Sequence, residues 1–161
     1  MIKIQYNREE ALRYAEKWAL DRNPKYYNFD GIGGDCTNFI SQCIFAGAKV
    51  MNFTGNTGWY YNSLNDRAPA WSGVEELFRF LTENRGVGPR GNVVSKEEAI
   101  AGDIIQLENG GRFYHSLFIM SVNPVILVSA HTFDALNRPL FSYNYNSARF
   151  IHITGVYKDS Y

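Results

Sequence analysis

Apolar residues first recur at helical spacing just inside the N-terminus, as Ala11, Leu12, Ala15, Trp18 and Ala19. The preceding Asn7-Arg8-Glu9-Glu10 reads as an N-cap with glutamate at the third helical position, so a helix is predicted to about Arg22, where Asn23-Pro24 stops it. A tyrosine- and glycine-rich loop, 25–34, leads into a second apolar helix that opens at Cys36 and ends near Gly47. Residues 50–70 are irregular and aromatic. Ser72-Gly73-Val74-Glu75 reads as a capping box for a third helix through Leu77, Phe78, Phe80 and Leu81. Gly86-Val87-Gly88-Pro89 predicts a break, and Ser95-Lys96-Glu97-Glu98 one further short helical turn.

The period then changes. Residues 103–107, 113–121, 125–130 and 148–157 read as strands, with turn signals at Asn109-Gly110-Gly111 and Asn123-Pro124. Helices followed by an antiparallel sheet predict an α+β domain. No repeat, low-complexity tract or Pro/Ser-rich linker divides the chain, so residues 1–161 are expected to form one domain.

Composition narrows the function classes. The 161 residues are 45% hydrophobic and 16% aromatic, which suits a folded core rather than disorder. Sixteen basic side chains balance sixteen acidic ones, so the basic excess expected of a nucleic-acid binder is missing. No apolar run is long enough for a membrane span, and the N-terminus lacks the apolar core of a signal peptide. A soluble chain is expected, although it could be a module cut from a secreted precursor. A monomer is expected.

The candidate chemistry centres on Gly33-Gly34-Asp35-Cys36-Thr37-Asn38. This run places a thiol where a glycine-rich loop becomes an apolar helix. Free backbone N–H groups and the positive end of the helix dipole there favour the thiolate, the form that attacks carbonyl carbon. Cys43 lies in an apolar mid-helix setting and reads as a core hydrophobe. On one helix the two cysteines would be separated by roughly 10 Å, too far for a disulfide. Asp35 reads as a helix N-cap, and Asp103 as a turn residue at a strand entrance. Asn38 and Gln42 suit surface or helix-packing roles.

Three histidines could serve the thiol. If 113–121 and 125–130 form a hairpin about 122–124, opposed residues have numbers summing to about 246, and His115 faces His131. One imidazole could then act as base while the other fixes its tautomer. His152 reads as a half-buried strand residue without an indicated partner. Cys36, His115 and His131 could also be imagined as a catalytic zinc set, but the close ligand pairs of zinc motifs are missing, so no metal or other cofactor is expected. Tyr27 and Trp59 are candidate substrate-binding residues, since amphipathic rings suit sugar and peptide faces.

Asp35-Cys36-Thr37-Asn38-Phe39-Ile40-Ser41-Gln42, Gly102-Asp103-Ile104-Ile105, His115 and Ser129-Ala130-His131-Thr132 resemble the putative amidase domain of clostridia and bacilli. More widely, the order of these pieces resembles papain-like cell-wall cysteine hydrolases of the NlpC and CHAP types. The resemblance implies a papain-like core and a cysteine amidase or peptidase acting on amide bonds of peptidoglycan or a related peptide. It implies Cys36 as nucleophile, His115 as general base and acid, and His131 as the orienting third member, with Asn123 and Asp134 as substitutes. Papain carries an oxyanion-binding glutamine where this chain has Asp30, so the backbone N–H of Cys36 is the expected donor. A non-catalytic wall-binding module and an acyltransferase on the same core are the alternatives. The bond cleaved, and whether the setting is secreted, phage-borne or spore-associated, are left open.

Overall fold

The computed structural model describes residues 1–160. The short strand β1 (Ile2–Ile4) precedes α1 (Arg8–Trp18), which Asn7 caps by accepting from the Glu10 N–H at 3.1 Å. Helix α1 stops at Trp18, short of the predicted Arg22, so Arg22 sits in a loop. The cysteine helix α2 (Cys36–Ala48) follows, closed by Lys49 in the left-handed region. A two-stranded ribbon, β2 (Tyr61–Ser63) and β3 (Asp66–Arg67), leads to α3 (Pro69–Ser72) and α4 (Val74–Glu83). The predicted capping box at Ser72 does not form: Gly73 caps α4, and Ser72 Oγ accepts from Arg67 Nε instead.

The main sheet contains β1, β4 (Gly88–Val94), β5 (Ile104–Asn109), β6 (Arg112–Ser121), β7 (Leu127–Ala130), β8 (Ala135–Pro139) and β9 (Ser147–Lys158), all pairings antiparallel. β9 pairs with β4 along one edge and shares its other edge between β5 and β1, and the order continues β5-β6-β7-β8. β4 occupies the segment predicted as a break. It is an edge strand, where Pro89 is tolerated, and its Gly91 lets the backbone come close to β9: a Cβ there would lie 3.0 Å from the His152 carbonyl oxygen. The β5–β6 hairpin turns through Gly110 and Gly111, both at positive φ, as the Asn-Gly-Gly signal predicted.

The sheet separates two apolar clusters. Phe118, Ile104 and Ile151 face the helices, joining Phe39, Ile40, Cys43, Ile44, Trp59 and Trp71. Leu107, Leu117, Ile119 and Val128 face the opposite side, under Leu140 and Phe150. The architecture is therefore α+β with a large antiparallel sheet. Sheet strands also precede and interrupt the helical segments, unlike the predicted run of helices followed by strands.

Candidate active site

Helix α2 is buried on almost every side, so its polar side chains must find partners inside the protein. Asn38 Oδ1 accepts from Trp71 Nε1 at 2.9 Å, Ser41 Oγ accepts from Trp59 Nε1 at 3.0 Å, and Gln42 Oε1 accepts from Tyr14 Oη at 2.5 Å. These bonds fix the helix between α1, the aromatic cluster and the sheet, and give Asn38 and Gln42 the helix-packing role. Cys43 is sealed in that core, where burial pushes its thiol well up.

Cys36 is the first residue of α2 and is 9% exposed. Its Sγ accepts from the backbone N–H of Ser116 on β6 and lies 3.7 Å from Thr37 Oγ1. Burial pushes the Cys36 thiol up, and these hydrogen bonds only partly oppose it. The resting group is accordingly the thiol rather than the thiolate expected from the helix terminus alone. Desolvation decides the sign here.

His115 precedes Ser116 on β6. Its strand partner is Leu107, and its ring shares the second apolar cluster's face with Tyr143, at 6.0 Å between ring centroids. Burial, helped by the Arg138 charge, lowers its pKa to about 4, so the imidazole is neutral at neutral pH. The sealed polar atoms without partners among the described residues are Arg90 Nε and Tyr143 Oη. The His115 nitrogens also make no hydrogen bond among those residues, so they reach solvent. Arg138 lies over the Tyr143 ring, 3.8 Å from its centroid, close enough to act on the hydroxyl too, although no hydrogen bond of ordinary geometry forms there. No hydrogen bond joins Cys36 Sγ to the His115 ring among the described residues. The Ser116 N–H that binds Cys36 Sγ belongs to the residue that follows His115 on β6.

The structure does not pair His115 with His131. Phe118 opposes Ser129 and Ile119 opposes Val128, a sum of 247 rather than 246, and β7 ends at Ala130. One residue of register sends alternate side chains to the other face. His131 stacks on Phe39 at 4.1 Å, its Nδ1 lies 2.5 Å from Asp35 Oδ2, and its Nε2 lies 2.8 Å from the Trp18 carbonyl oxygen. Both ring nitrogens are thus engaged. His131 therefore has no nitrogen left to orient His115. The substitutes fare no better: Asp134 is bound by Arg22, and Asn123 sits in the β6–β7 turn, at the other end of β6 from His115.

Asp35 is more than a cap. Its side chain, 1% exposed, makes no capping bond to the first turn of α2. It accepts from the Phe29 N–H at 2.9 Å and Asn38 Nδ2 at 2.8 Å as well as from His131. Burial works against the carboxylate, but these donors outweigh it and hold the carboxyl below the usual range. Arg22 adds an outer clamp: it binds Asp30 at 2.7 Å, Asp134 at 2.9 Å and lies 3.6 Å from Asp35. The Asp35 N–H donates to Thr132 Oγ1, and a Cβ on Gly34, whose φ is 96°, would stand 3.1 Å from that same oxygen. The loop carrying Cys36 is thus fastened to the end of α1 and to residues 131–134. Asp30 belongs to this clamp at the surface.

Sequence reasoning missed Arg22 and undervalued Asp35, because the partners that define their roles, Asp134 and His131, lie about a hundred residues away in the chain. The one local signal was an acidic residue directly before the cysteine. Asp103 and His152 likewise differ from expectation. Asp103 is fully buried, binds Arg8 at 2.8 Å and His152 Nδ1 at 2.8 Å, and accepts from the Ile153 N–H. This cluster ties α1 to β9, away from Cys36.

Of the two proposed binding residues, Trp59 is completely buried against Trp71 and Phe80 and has no face for a ligand. Tyr27 is half-buried, edge-on to Phe29, with its carbonyl bound to Asn38 Nδ2. A cavity of about 450 Å³ lined by Asn52, Glu76, Arg79, Phe80 and Asn84 lies apart from both Cys36 and His115. Among the described residues no three His, Cys, Asp or Glu side chains converge as a metal site. No helix among them is long and apolar enough to cross a membrane.

A family described as "Putative amidase domain" matches residues 5–154, a span that holds α1, the cysteine helix and the first part of β9. The chain belongs to that family. Its description points to amide hydrolysis in general. Two Bacillus subtilis (strain 168) proteins are similar: "Uncharacterized protein YhbB", 34% identical over 141 residues, and "Uncharacterized protein YjcM", 24% identical over 146. The alignments cover 84% and 83% of this chain but 44% and 32% of those proteins. The chain therefore spans less than half the length of the curated relatives it matches. No solved structure matches significantly.

Proposed function

We propose that this amidase-family chain is a cysteine amidohydrolase in which Cys36 is the nucleophile and His115 the general base and acid. The observation that carries the reading is the Cys36 sulfur at a helix N-terminus, bound to the N–H of the residue next to a neutral histidine whose nitrogens are free. In the reaction the imidazole takes the thiol proton as sulfur attacks the amide carbonyl. The imidazolium returns that proton to the leaving amine, and water hydrolyses the thioester with the imidazole again as base. A site that disfavours the imidazolium gives the proton up readily. The Cys36 N–H, at the first position of α2 and without an intrahelical acceptor, is the proposed oxyanion donor.

The proposed substrate is an amide of bacterial cell-wall peptidoglycan, supported by the sequence's resemblance to cell-wall cysteine hydrolases of the papain-like kind. Tyr27 is the remaining candidate for substrate contact. The test is mass spectrometry of fragments released from purified peptidoglycan by the wild-type chain and by Cys36→Ala. Release by the wild type alone is the expected result, and equal release by the variant overturns the cysteine mechanism. A non-catalytic module keeping the same fold is favoured by one observation, the missing hydrogen bond between Sγ and the imidazole. It predicts no release from either protein.

A further inference from the structure

Behind Cys36 lies a line of polar side chains whose direction is fixed from Arg149 as far as Ser116. Arg149 is held between the Phe78 and Phe113 rings, at 3.5 and 3.7 Å from their centroids, and its outer nitrogen binds Glu75. Its Nε and Nη2 donate to Gln106 Oε1 at 2.9 and 2.7 Å. This fixes which end of the Gln106 amide is oxygen, because a guanidinium can only donate. The Gln106 NH₂ must then point the other way, and it donates to Val74 O at 3.0 Å and Ser116 Oγ at 3.2 Å. With its oxygen accepting from Gln106, Ser116 has its own proton free for Thr37 Oγ1, 3.0 Å away. With Ser116 donating, Thr37 can turn its own proton to Cys36 Sγ, at 3.7 Å. Gln106 and Ser116 are fully buried, and Thr37 is 1% exposed, so water does not compete for these bonds.

We propose that Thr37, Ser116 and Gln106 form a directed hydrogen-bond relay from Arg149 that positions and stabilises the Cys36 thiolate as it forms. The relay rests on the reading of Cys36 as nucleophile, and it answers a difficulty of that site. A buried sulfur next to the Asp35 carboxylate is a poor place for negative charge, and the backbone N–H groups of Ser116 and Thr37 only partly offset that. A chain of neutral dipoles anchored on a guanidinium adds a third donor, the Thr37 hydroxyl, without placing a cation in the site. Thr37, Ser116 and Gln106 are positioning residues in this scheme, since none of them reaches the substrate.

The charged and titratable groups around the sulfur are Asp35 from its own loop, His115 from β6 and Arg149 from β9, with His131 and Arg22 acting on Asp35. None of them is changed by the variants below. The test is the rate of Cys36 alkylation by iodoacetamide from pH 6 to 11, read by mass spectrometry of the Cys36 peptide, with thermal melting as the control for folding. In Thr37→Val the rate at pH 7 should fall about tenfold, the loss expected when a charged group forfeits one hydrogen bond. The titration midpoint should rise while the rate at high pH stays the same. Thr37→Ser should restore the wild-type profile. Ser116→Ala cuts the same chain one link further back, should shift the profile in the same direction, and serves if Thr37→Val does not fold. An unchanged profile in folded Thr37→Val, or a rate lowered equally at every pH, overturns the relay alone. Peptidoglycan cleavage retained by Cys36→Ala overturns the reading beneath it.

Discussion

Replacing Asp35 by alanine removes one carboxylate that serves three donors at once. The Phe29 N–H, Asn38 Nδ2 and His131 Nδ1 all lose their acceptor inside the protein, and the His131 ring loses its counter-charge. Both side chains of that pair are 1% exposed. Removing one partner of a buried ion pair costs about 3–5 kcal/mol, since the other is stranded. His131 keeps its bond to the Trp18 carbonyl, which places the expectation at the lower end, about 3 kcal/mol. For a chain of this size that corresponds to a fall in melting temperature of roughly 6–12 °C. Asp35→Asn should cost less, about 1–2 kcal/mol, because its oxygen still accepts from Phe29 and Asn38. Urea unfolding at pH 7 measures both. The acid limb gives an independent check. The folded carboxyl lies below the ordinary value of 3.8, so its stabilisation is present above about pH 3.8 and is lost as the pH falls further. Asp35→Ala should flatten that part of the curve. A loss under 1 kcal/mol, or an acid limb identical to wild type, would refute the assignment of Asp35 as the keystone of the cysteine loop.

Other consequences concern neighbouring groups. His115 titrates at about 4 when folded against 6.5 when free, so the unfolded chain binds the extra proton between these values and stability rises with pH across them. The difference amounts to about 3 kcal/mol; in His115→Ala, urea midpoints measured at pH 4.5 and 7 should lie closer together than in wild type, and an unchanged gap counts against the buried neutral ring. Tyr143→Phe deletes a sealed hydroxyl that has no partner, so it should leave stability equal or raise it by about 1 kcal/mol, and a clear loss in calorimetry would mean that the hydroxyl is bonded. Arg22→Ala releases Asp30 and Asp134; about 1–2 kcal/mol should be lost and amide exchange across residues 28–35 should quicken, whereas unaltered exchange would remove Arg22 from the clamp.

The two ends of the chain's pattern were legible for local reasons. Helix α1 and its Asn7 cap, the Cys36 helix start, the Gly110-Gly111 turn and the β5, β6 and β9 strands each follow from period and turn chemistry within a few residues. Edge strand β4 was not, because Gly88, Pro89 and Gly91 carry no alternation and make sense only against β9. The same limit governed the site. Sequence alone singled out Cys36 and placed His115 on a strand, since a thiol at a loop-to-helix junction and a histidine in a β run are local facts. Which histidine serves which partner depended on one residue of register between β6 and β7 and on where β7 stops. That choice sent His131 to Asp35 and Trp18 and left His115 beside Ser116. The protonation of the thiol was likewise a tertiary matter. The helix terminus that the sequence reveals favours the thiolate, but the desolvation that opposes it comes from the sheet and loops packed around α2, and in the folded chain burial outweighs the helix terminus.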